Sequence, residues 1–329
     1  MPALYDVAAI GNAIVDVIAP ADDAFLAAED LVKGSMQLID EARATQLYAR
    51  MAAGIEASGG SAGNTVAGVA SFGGAAAYLG KVANDQLGEV FAHDLRAIGV
   101  AFDTTALSGG AATGRSLINV TEDGQRTMCT FLGASTELTP HDVRPEVIEN
   151  ASIVYLEGYL FDPNEARRAF EKASAIARNC GRFTALTLSD AFVVERHREA
   201  LMAFIDAEAD LLFANEAELL ALFRTDDFEA AAAAAAECCA IAAITRSEKG
   251  SIILGDGGRF EVAAEPVEKV VDTTGAGDQY AAGFLFGLAR GRPLDVCGRL
   301  GSLAAAEVIS HYGPRPQTPL RDLAAAAGL

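Results

Sequence analysis

The sequence predicts an α/β protein with a doubly wound, mostly parallel sheet, helices on both faces and a small β lid. The first observation is a regular alternation of short apolar runs with helix-length segments. The apolar runs cover 5–10, 75–79, 153–156, 184–188, 211–213, 241–245 and 251–254. The segments between them cover 64–72, 86–98, 164–179, 196–206, 216–223 and 228–239. This alternation is typical of parallel strands joined by helical crossovers, with ligands at the carboxyl ends of the strands.

The second observation is that two stretches, 15–39 and 114–132, interrupt this alternation with extended or irregular sequence. Within the second, residues 122–125 read Glu-Asp-Gly-Gln, which is typical of a hairpin turn. We predict that the two stretches pair into a lid over the strand ends. The core would then comprise residues 1–15, 40–112 and 134–329, and the lid residues 16–39 and 113–133.

The composition restricts the partners and the compartment. The formal net charge of the 329 residues is −20, without any cluster of basic residues, so nucleic acid and anionic membranes are poor partners. An acidic protein that binds a nucleotide needs local help from Mg²⁺, helix N-termini or a few arginines. The five cysteines have no metal-ligand spacing, and no signal peptide is recognisable. We therefore expect reduced thiols and a cytoplasmic protein, either a monomer or a homodimer.

The segment Asp272–Asp278, with the sequence DTTGAGD, is the strongest candidate for chemistry. It lies between a valine-rich segment at 267–271, interpreted as a strand, and a helix predicted from Gln279. Glycines bring the backbone close to a ligand, and the first turn of the helix offers free N–H groups to an anion. Asp278 at this position suits a base that deprotonates an attacking hydroxyl while the N–H groups stabilise the phosphoryl group. The alternative is a tight turn with an N-cap.

Two segments suggest a pocket for vicinal hydroxyl groups. Gly11-Asn12 with Asp16 follows the first predicted strand, and Gly59–Asn64 precedes a predicted helix. Asn and Asp side chains hydrogen-bond polyols, although each segment by itself is more typical of a turn, with an N-cap at Ser61 or Asn64. The anion site elsewhere in the chain is what favours a pocket.

Two further segments are candidates for contacts to a nucleotide. Asn215 and Glu218 are three residues apart at a helix start, so they share a face and could orient Mg²⁺ through water; the alternative is a capped acidic first turn. The segment Thr245–Gly250 is either a loop that contacts phosphates or a polar connection. The competing motifs fail, because residues 74–82 do not form a Walker A loop and Tyr280 replaces the third glycine of a dinucleotide fingerprint.

Together these segments resemble the ribokinase-like (PfkB) kinases over nearly the whole chain, and the adenosine kinases more than the simple sugar kinases. Asp272–Asp278 resembles the C-terminal signature of that family, and Gly59–Gly88 resembles its N-terminal signature. The segments that resemble adenosine kinases are 10–16, 155–159, 186–189 and 210–216. The resemblance implies transfer of the ATP γ-phosphoryl group to the 5′-hydroxymethyl group of a ribonucleoside, with Mg²⁺ and with K⁺ as a monovalent cation near the anion-binding turn.

The resemblance also implies roles for individual residues. Asp278 would be the base, Gly275, Ala276 and Gly277 the anion hole, and Arg126 a contact from the lid to the phosphates. The residues predicted to bind the acceptor are Asn12, Asp16, Gly60, Ser61, Asn64 and Tyr159. The residues predicted to bind ATP are Asn215, Thr245, Gly250, Thr274 and Gly277, and those predicted to act on Mg²⁺, through water, are Asn215 and Glu218.

The chain departs from the adenosine-kinase pattern around the expected nucleoside base. Leu160 follows Tyr159 where those enzymes tend to have a second aromatic, and Met36 stands where a polar lid residue is often found. The acceptor could be adenosine, guanosine or inosine, or a free sugar such as ribose or fructose. Of the other classes, an NAD-linked dehydrogenase lacks its fingerprint here, and a nucleoside-binding regulator would not need Asp278.

Overall fold

The computed structural model describes residues 3–329 and arranges their strands into two sheets. Residues 1 and 2 of the predicted core lie outside the described residues. The strands are β1 Tyr5–Ile10, β2 Ile14–Pro20, β3 Met36–Leu38, β4 Ile55–Ser58, β5 Ala76–Leu79, β6 Gly114–Val120, β7 Arg126–Phe131, β8 Ala151–Glu157, β9 Phe183–Thr187, β10 Leu211–Asn215, β11 Ile241–Thr245, β12 Ser251–Gly255 and β13 Gly258–Val262. The helices are α1 Asp23–Ala28, α2 Glu41–Tyr48, α3 Ser61–Ser71, α4 Gln86–Ala97, α5 Pro145–Glu149, α6 Asn164–Asn179, α7 Ala191–Glu208, α8 Glu216–Phe223, α9 Phe228–Cys238, α10 Ala276–Ala289, α11 Leu294–Ile309 and α12 Leu320–Ala326.

The large sheet has eight strands in the order β13-β12-β11-β10-β9-β8-β1-β5. The six strands from β5 to β11 are parallel to one another, and β12 and β13 add an antiparallel edge. The chain leaves β1 toward β5 on one side and returns to β8 on the other, so the strand order reverses between β1 and β8. A crevice at the carboxyl ends of the strands forms at such a reversal. The predicted doubly wound sheet is confirmed.

Alternating residues of the strands feed two hydrophobic cores, one on each face of the large sheet. In β8, Ile153 and Tyr155 pack with residues of α3 and α10, whereas Val154 and Leu156 pack with residues of α6 and α7. Successive side chains of a strand point to opposite faces, so a strand that is apolar throughout needs helices on both sides. No helix within residues 3–329 is long and apolar enough to cross a membrane.

The small sheet has five strands in the order β3-β7-β6-β2-β4 and lies over the carboxyl ends of the large sheet. The predicted hairpin is confirmed: β6 and β7 pair antiparallel, and the Thr121 N–H donates to the Gln125 carbonyl over 3.0 Å. The predicted return to the core at residue 40 needs correction, because β4 pairs antiparallel with β2, with Ala57 opposite Asp16. Four residues carry too little periodicity to reveal this long-range pairing.

The segment at 267–271 is not a strand, contrary to the prediction. The Val271 N–H donates to the Ile309 carbonyl over 2.8 Å, so this extended segment runs beside the end of α11 and pairs with neither sheet. Its side chains are not core residues, since Val270 is 52% exposed. β-branched residues favour extended backbone but do not decide whether a partner strand is within reach.

Candidate active site

Asp278 lies in the first turn of α10, at the third residue of the helix. The Ser61 hydroxyl donates to its Oδ1 over 2.6 Å, and the Asn64 Nδ2 donates to its Oδ2 over 3.0 Å. Burial raises the pKa of Asp278, and these two hydrogen bonds oppose that shift by stabilising the ionised form. Ser61 and Asn64 are thus not N-caps, since Gly60 is the N-cap of α3. Their side chains instead donate to a carboxylate that lies 217 and 214 residues away in the sequence.

The turn before α10 offers free backbone N–H groups. Gly275 has φ 79° and accepts the first helical bond from Gln279, while among the described residues no acceptor contacts the N–H groups of Gly275, Gly277 and Asp278. Two features require glycine at 275. Its φ is positive, and an added Cβ would lie 2.7 Å from the Pro314 Cα. Space is open beside Gly277. The free N–H groups and the positive end of the helix dipole suit a phosphate.

A cavity of about 480 Å³ lies between the two sheets and reaches Asp278. One wall is polar and comes from the ends of β1 and β8 and the start of α3. The other is largely apolar and includes lid residues. All six predicted acceptor-binding residues line it, namely Asn12, Asp16, Gly60, Ser61, Asn64 and Tyr159. The structure therefore brings this predicted set together in one pocket.

The Asp16 carboxylate faces this cavity rather than a protein partner. None of the described residues donates a hydrogen bond to it, and Gly59 leaves it room, because a Cβ there would lie 2.3 Å from Oδ2. Burial raises the pKa of Asp16 to about 7, against the lowering effect of Arg315 and Arg126. A half-buried carboxylate with free lone pairs suits the hydroxyl groups of a ligand.

Glu157 is a buried carboxylate at the end of β8 that the sequence did not single out as a site residue. Its Oε1 accepts from the Asn12 Nδ2 over 2.9 Å, and its Oε2 accepts from the Ala62 N–H over 2.9 Å. It thereby ties the end of β1 to the start of α3, at the reversal of strand order. Burial raises the pKa of Glu157 to about 7.

A second cavity, of about 550 Å³, lies on the other side of the α10 N-terminus. Of the residues predicted to bind ATP, Thr245, Gly250 and Gly277 line it. Thr274 lines the first cavity instead, and Thr273 lines the second. The DTTGAGD turn therefore stands between two pockets, with Asp278 facing one and Gly277 facing the other.

Asn215 and Glu218 do not line either cavity. They form a capping box at the start of α8, in which the Glu218 N–H donates to Asn215 Oδ1 over 2.8 Å and Glu218 accepts from the Asn215 N–H and Nδ2. Burial raises the pKa of Glu218 to about 7. Asn215 is nevertheless exposed and is paired in register with Thr245, so it lies at the strand edge that borders the second cavity.

Arg126 joins the lid to the anion-binding turn. Its Nη2 lies 2.6 Å from the Oδ2 of Asp272, and both side chains are buried. Its Nε and Nη1 atoms are buried without a protein partner within residues 3–329. The guanidinium therefore has unused donors close to the turn that carries the free N–H groups.

Besides Glu157, two further residues at the site were not predicted from the sequence. Arg315 lies behind Asn64, where its Nε donates to the Asn64 Oδ1 over 3.4 Å. Phe192 lines the first cavity at the start of α7 and is 73% exposed. The segment Gly313–Pro316, an arginine between two prolines, was the available signal for Arg315. Nothing in the local sequence marks Phe192.

A carboxylate between a hydroxyl-binding pocket and an anion-binding helix terminus is the arrangement of a phosphotransferase. Comparison with known protein families agrees with this assignment, because residues 6–321 match the pfkB family of carbohydrate kinases. The chain belongs to this family, and it is accordingly an ATP-dependent phosphotransferase that acts on an alcohol group.

Solved structures of similar proteins share the whole fold. The adenosine kinase from Sinorhizobium meliloti is 53% identical, with a TM-score of 0.91 over 98% of this chain and 99% of that one. A probable sugar kinase protein from Rhizobium etli is 50% identical, with a TM-score of 0.92 over 99% of both chains. By sequence alone, the chain is also similar to the adenosine kinase from Saccharomyces cerevisiae, which is 28% identical over 93% of this chain and 95% of its own.

Proposed function

We propose that this kinase transfers the γ-phosphoryl group of ATP to the 5′-hydroxymethyl group of a purine ribonucleoside, with adenosine as the first candidate. The proposal rests on the two walls of the first cavity. Asp278 and the residues predicted to bind hydroxyl groups form one wall, and apolar side chains form the other. The similar adenosine kinases support the same class of acceptor.

The mechanism follows from the position of Asp278. The 5′-hydroxyl oxygen attacks the γ-phosphorus in line, its proton passes to the Asp278 carboxylate, and the β–γ bridging bond breaks, with its electron pair leaving on ADP. The free N–H groups of the turn stabilise the charge on the transferred group, and Arg126 has unused donors for it. Asp16 and Asn12 hold the ribose hydroxyls.

The apolar wall supports a nucleoside over a free sugar. It is formed by Met36, Leu38, Ile118, Met128, Leu132, Phe192 and Val193. A hexose or pentose alone leaves such a surface in contact with water, whereas a purine ring covers it. Leu160 and Phe161 are buried in the core behind the cavity, so Tyr159 and Phe192 are the aromatic side chains that face it.

The test is ATP consumption with adenosine, guanosine, inosine, cytidine, ribose and fructose, measured for the native protein and for Asp278→Asn. We expect turnover with a purine nucleoside and a loss of about 10²–10⁴-fold in kcat in the variant, because the proton acceptor is gone. Turnover of ribose or fructose with no nucleoside accepted would overturn the substrate class. Full activity of Asp278→Asn would overturn the base.

We also propose that Asn215 and Glu218 contact water bound to the Mg²⁺ that accompanies ATP. Both oxygens of Glu218 already accept hydrogen bonds in the capping box, so contact through water fits them better than direct coordination. Glu218→Gln removes the charge and keeps only one of the two hydrogen bonds that Asn215 donates, because a glutamine amide has a single acceptor oxygen. We expect this variant to need a higher Mg²⁺ concentration for half-maximal activity, measured at a temperature well below its Tm so that the weaker cap does not affect the assay. An unchanged Mg²⁺ dependence would leave the pair with its capping role alone.

A further inference from the structure

We infer that Arg315 is a positioning residue that sets the orientation of the Asn64 amide and, through it, that of the Asp278 carboxylate. This inference rests on the proposed role of Asp278 as the base. Arg315 does not line either of the two cavities described above, so it acts through other residues.

The contacts form a chain of three side chains. Arg315 Nε donates to Asn64 Oδ1 over 3.4 Å, and Asn64 Nδ2 donates to Asp278 Oδ2 over 3.0 Å. An amide has one acceptor end and one donor end. Because the guanidinium can only donate, it holds the oxygen of Asn64 and leaves the Nδ2 for the carboxylate. A flipped amide would place its oxygen against Asp278 and its Nδ2 against Arg315, which is unfavourable at both ends.

The backbone around Arg315 is hydrogen-bonded to α10, and the same side chain of α10 also contacts α3. The Gln279 Nε2 donates to the Asn64 carbonyl over 2.9 Å and to the Pro314 carbonyl over 3.0 Å. The Gly313 N–H donates to the Oδ2 of Asp272 over 3.0 Å. Arg315 therefore meets Asn64 in a defined register, and a displacement of this loop would move the anion-binding turn as well.

The positive charge of Arg315 acts on neighbouring ionisable side chains inside the protein. Its Nη2 atom is buried without a hydrogen-bond partner among the described residues. Burial lowers the pKa of Arg315, while Asp16, Asp94 and Tyr78 raise it. Arg315 also has the largest lowering effect on the pKa of Asp16, followed by Arg126, whereas Asp278 raises that pKa. The same guanidinium thus orders the base through Asn64 and favours the ionised form of the acceptor-binding carboxylate.

The test compares the pH profiles of Arg315→Met and Arg315→Lys with that of the native enzyme, using ATP and adenosine. Without Arg315 the amide is free to flip and the ionised form of Asp278 loses a donor, so its pKa rises. We expect the acid limb of kcat at saturating adenosine to move up by about 0.5–1 pH unit in Arg315→Met. The KM for adenosine should rise severalfold at pH 7, because Asp16 is then less ionised, and the KM for ATP should stay unchanged.

Arg315→Lys keeps a cationic donor, and its acid limb and KM should return toward the native values. In an Asn64→Leu background, Arg315→Met should cause no additional shift of the acid limb, because its route to Asp278 is already gone. The matched control is Arg321→Met, since Arg321 is an exposed arginine in the same C-terminal region, paired with Asp322. That control should leave all these quantities unchanged.

A lower kcat in Arg315→Met with the native acid limb, and no rescue by lysine, would overturn the inference and leave Arg315 a purely structural role. That outcome is distinct from failure of the proposed function. Full activity of Asp278→Asn would refute the role of Asp278 as the base. An inactive Asp278→Asn together with an Arg315→Met variant whose acid limb of kcat is unshifted would refute only the role of Arg315.

Discussion

At the scale of single residues, the site depends on carboxylates kept in a partly desolvated pocket. Asp16 and Glu157 both have pKa values raised to about 7 by burial, but their surroundings differ. Glu157 accepts hydrogen bonds from Asn12 and Ala62 and joins two elements. Both residues line the first cavity, but Asp16 has no donor among the described residues. We therefore assign Glu157 to the framework and Asp16 to the acceptor.

Asp16→Asn should weaken acceptor binding and remove part of its pH dependence. The ionised carboxylate accepts hydrogen bonds from the acceptor hydroxyls, and it is protonated as the pH falls through about 7. In the native enzyme, the KM for adenosine should therefore rise as the pH falls from 8 to 6. In the variant, the KM should be high throughout this range. A native-like KM in Asp16→Asn at pH 8 would contradict the assignment.

The same substitution should stabilise the free protein at alkaline pH. The pKa of Asp16 is raised from 3.8 to about 7, so between these values the folded state holds a proton that the unfolded state has released. The free energy of unfolding therefore falls as the pH rises through this window, and the penalty is complete above about 7. We expect Asp16→Asn to have a higher Tm than the native protein at pH 8 and little difference at pH 4. A Tm difference independent of pH would contradict this linkage.

At the scale of elements, the N-terminus of α10 joins the two cavities, and its two glycines serve different purposes. Gly275 has a positive φ and packs against Pro314, so it is required by the fold of the turn. Gly277 has ordinary helical backbone and open space beside it, so the fold does not require a glycine there. The space beside Gly277 belongs to the second cavity, where we place the phosphates.

Gly277→Ala and Gly275→Ala should consequently separate stability from activity. Alanine at 277 should stabilise the helix by about 0.5 kcal/mol, since it restricts the unfolded chain. Its methyl group would nevertheless occupy the space of the phosphate, so the KM for ATP should rise and kcat should fall. Alanine at 275 should lower both Tm and activity. Thermal unfolding and steady-state kinetics measure these effects, and normal ATP kinetics in Gly277→Ala would contradict the phosphate position.

At the scale of the whole molecule, the lid and the core meet at a buried ion pair between Arg126 and Asp272. Arg126→Met should leave the Asp272 carboxylate buried without its counter-ion, which is destabilising. We expect slower phosphoryl transfer and a higher ratio of acceptor-independent ATP hydrolysis to transfer, because a loosened lid admits water. Measuring ADP formation with and without adenosine gives this ratio.

The control for the lid is Lys33→Met, which breaks half-exposed ion pairs to Asp23 and Asp123 within the lid region. Exposed pairs contribute little to stability, so this variant should behave as the native enzyme. An Arg126→Met enzyme with the native ratio of hydrolysis to transfer would show that the ion pair does not govern closure.

The sequence by itself determined the layered fold and the main chemical groups. Apolar runs of strand length need helices on both faces of a sheet. This pattern is local, so it can be recognised in the sequence before the strand order is known. The DTTGAGD turn was recognisable because its glycines and its aspartate act through their own backbone and the next helix turn. Two segments with Asn and Asp side chains already suggested a pocket for hydroxyl groups, the resemblance to a kinase family assigned it to the acceptor, and the structure brings those residues together in one cavity.

Only the tertiary structure decided which residues surround these groups. The strand order, the place of Ile55–Ser58 in the lid and the unpaired segment at 267–271 depend on partners distant in the sequence. The same holds for the site: Ser61 and Asn64 were predicted for the acceptor, yet their contacts in the protein are with Asp278, and Arg315 reaches Asn64 across 251 residues. Local sequence encodes backbone preference and burial, whereas a hydrogen bond between distant residues exists only once the chain has folded.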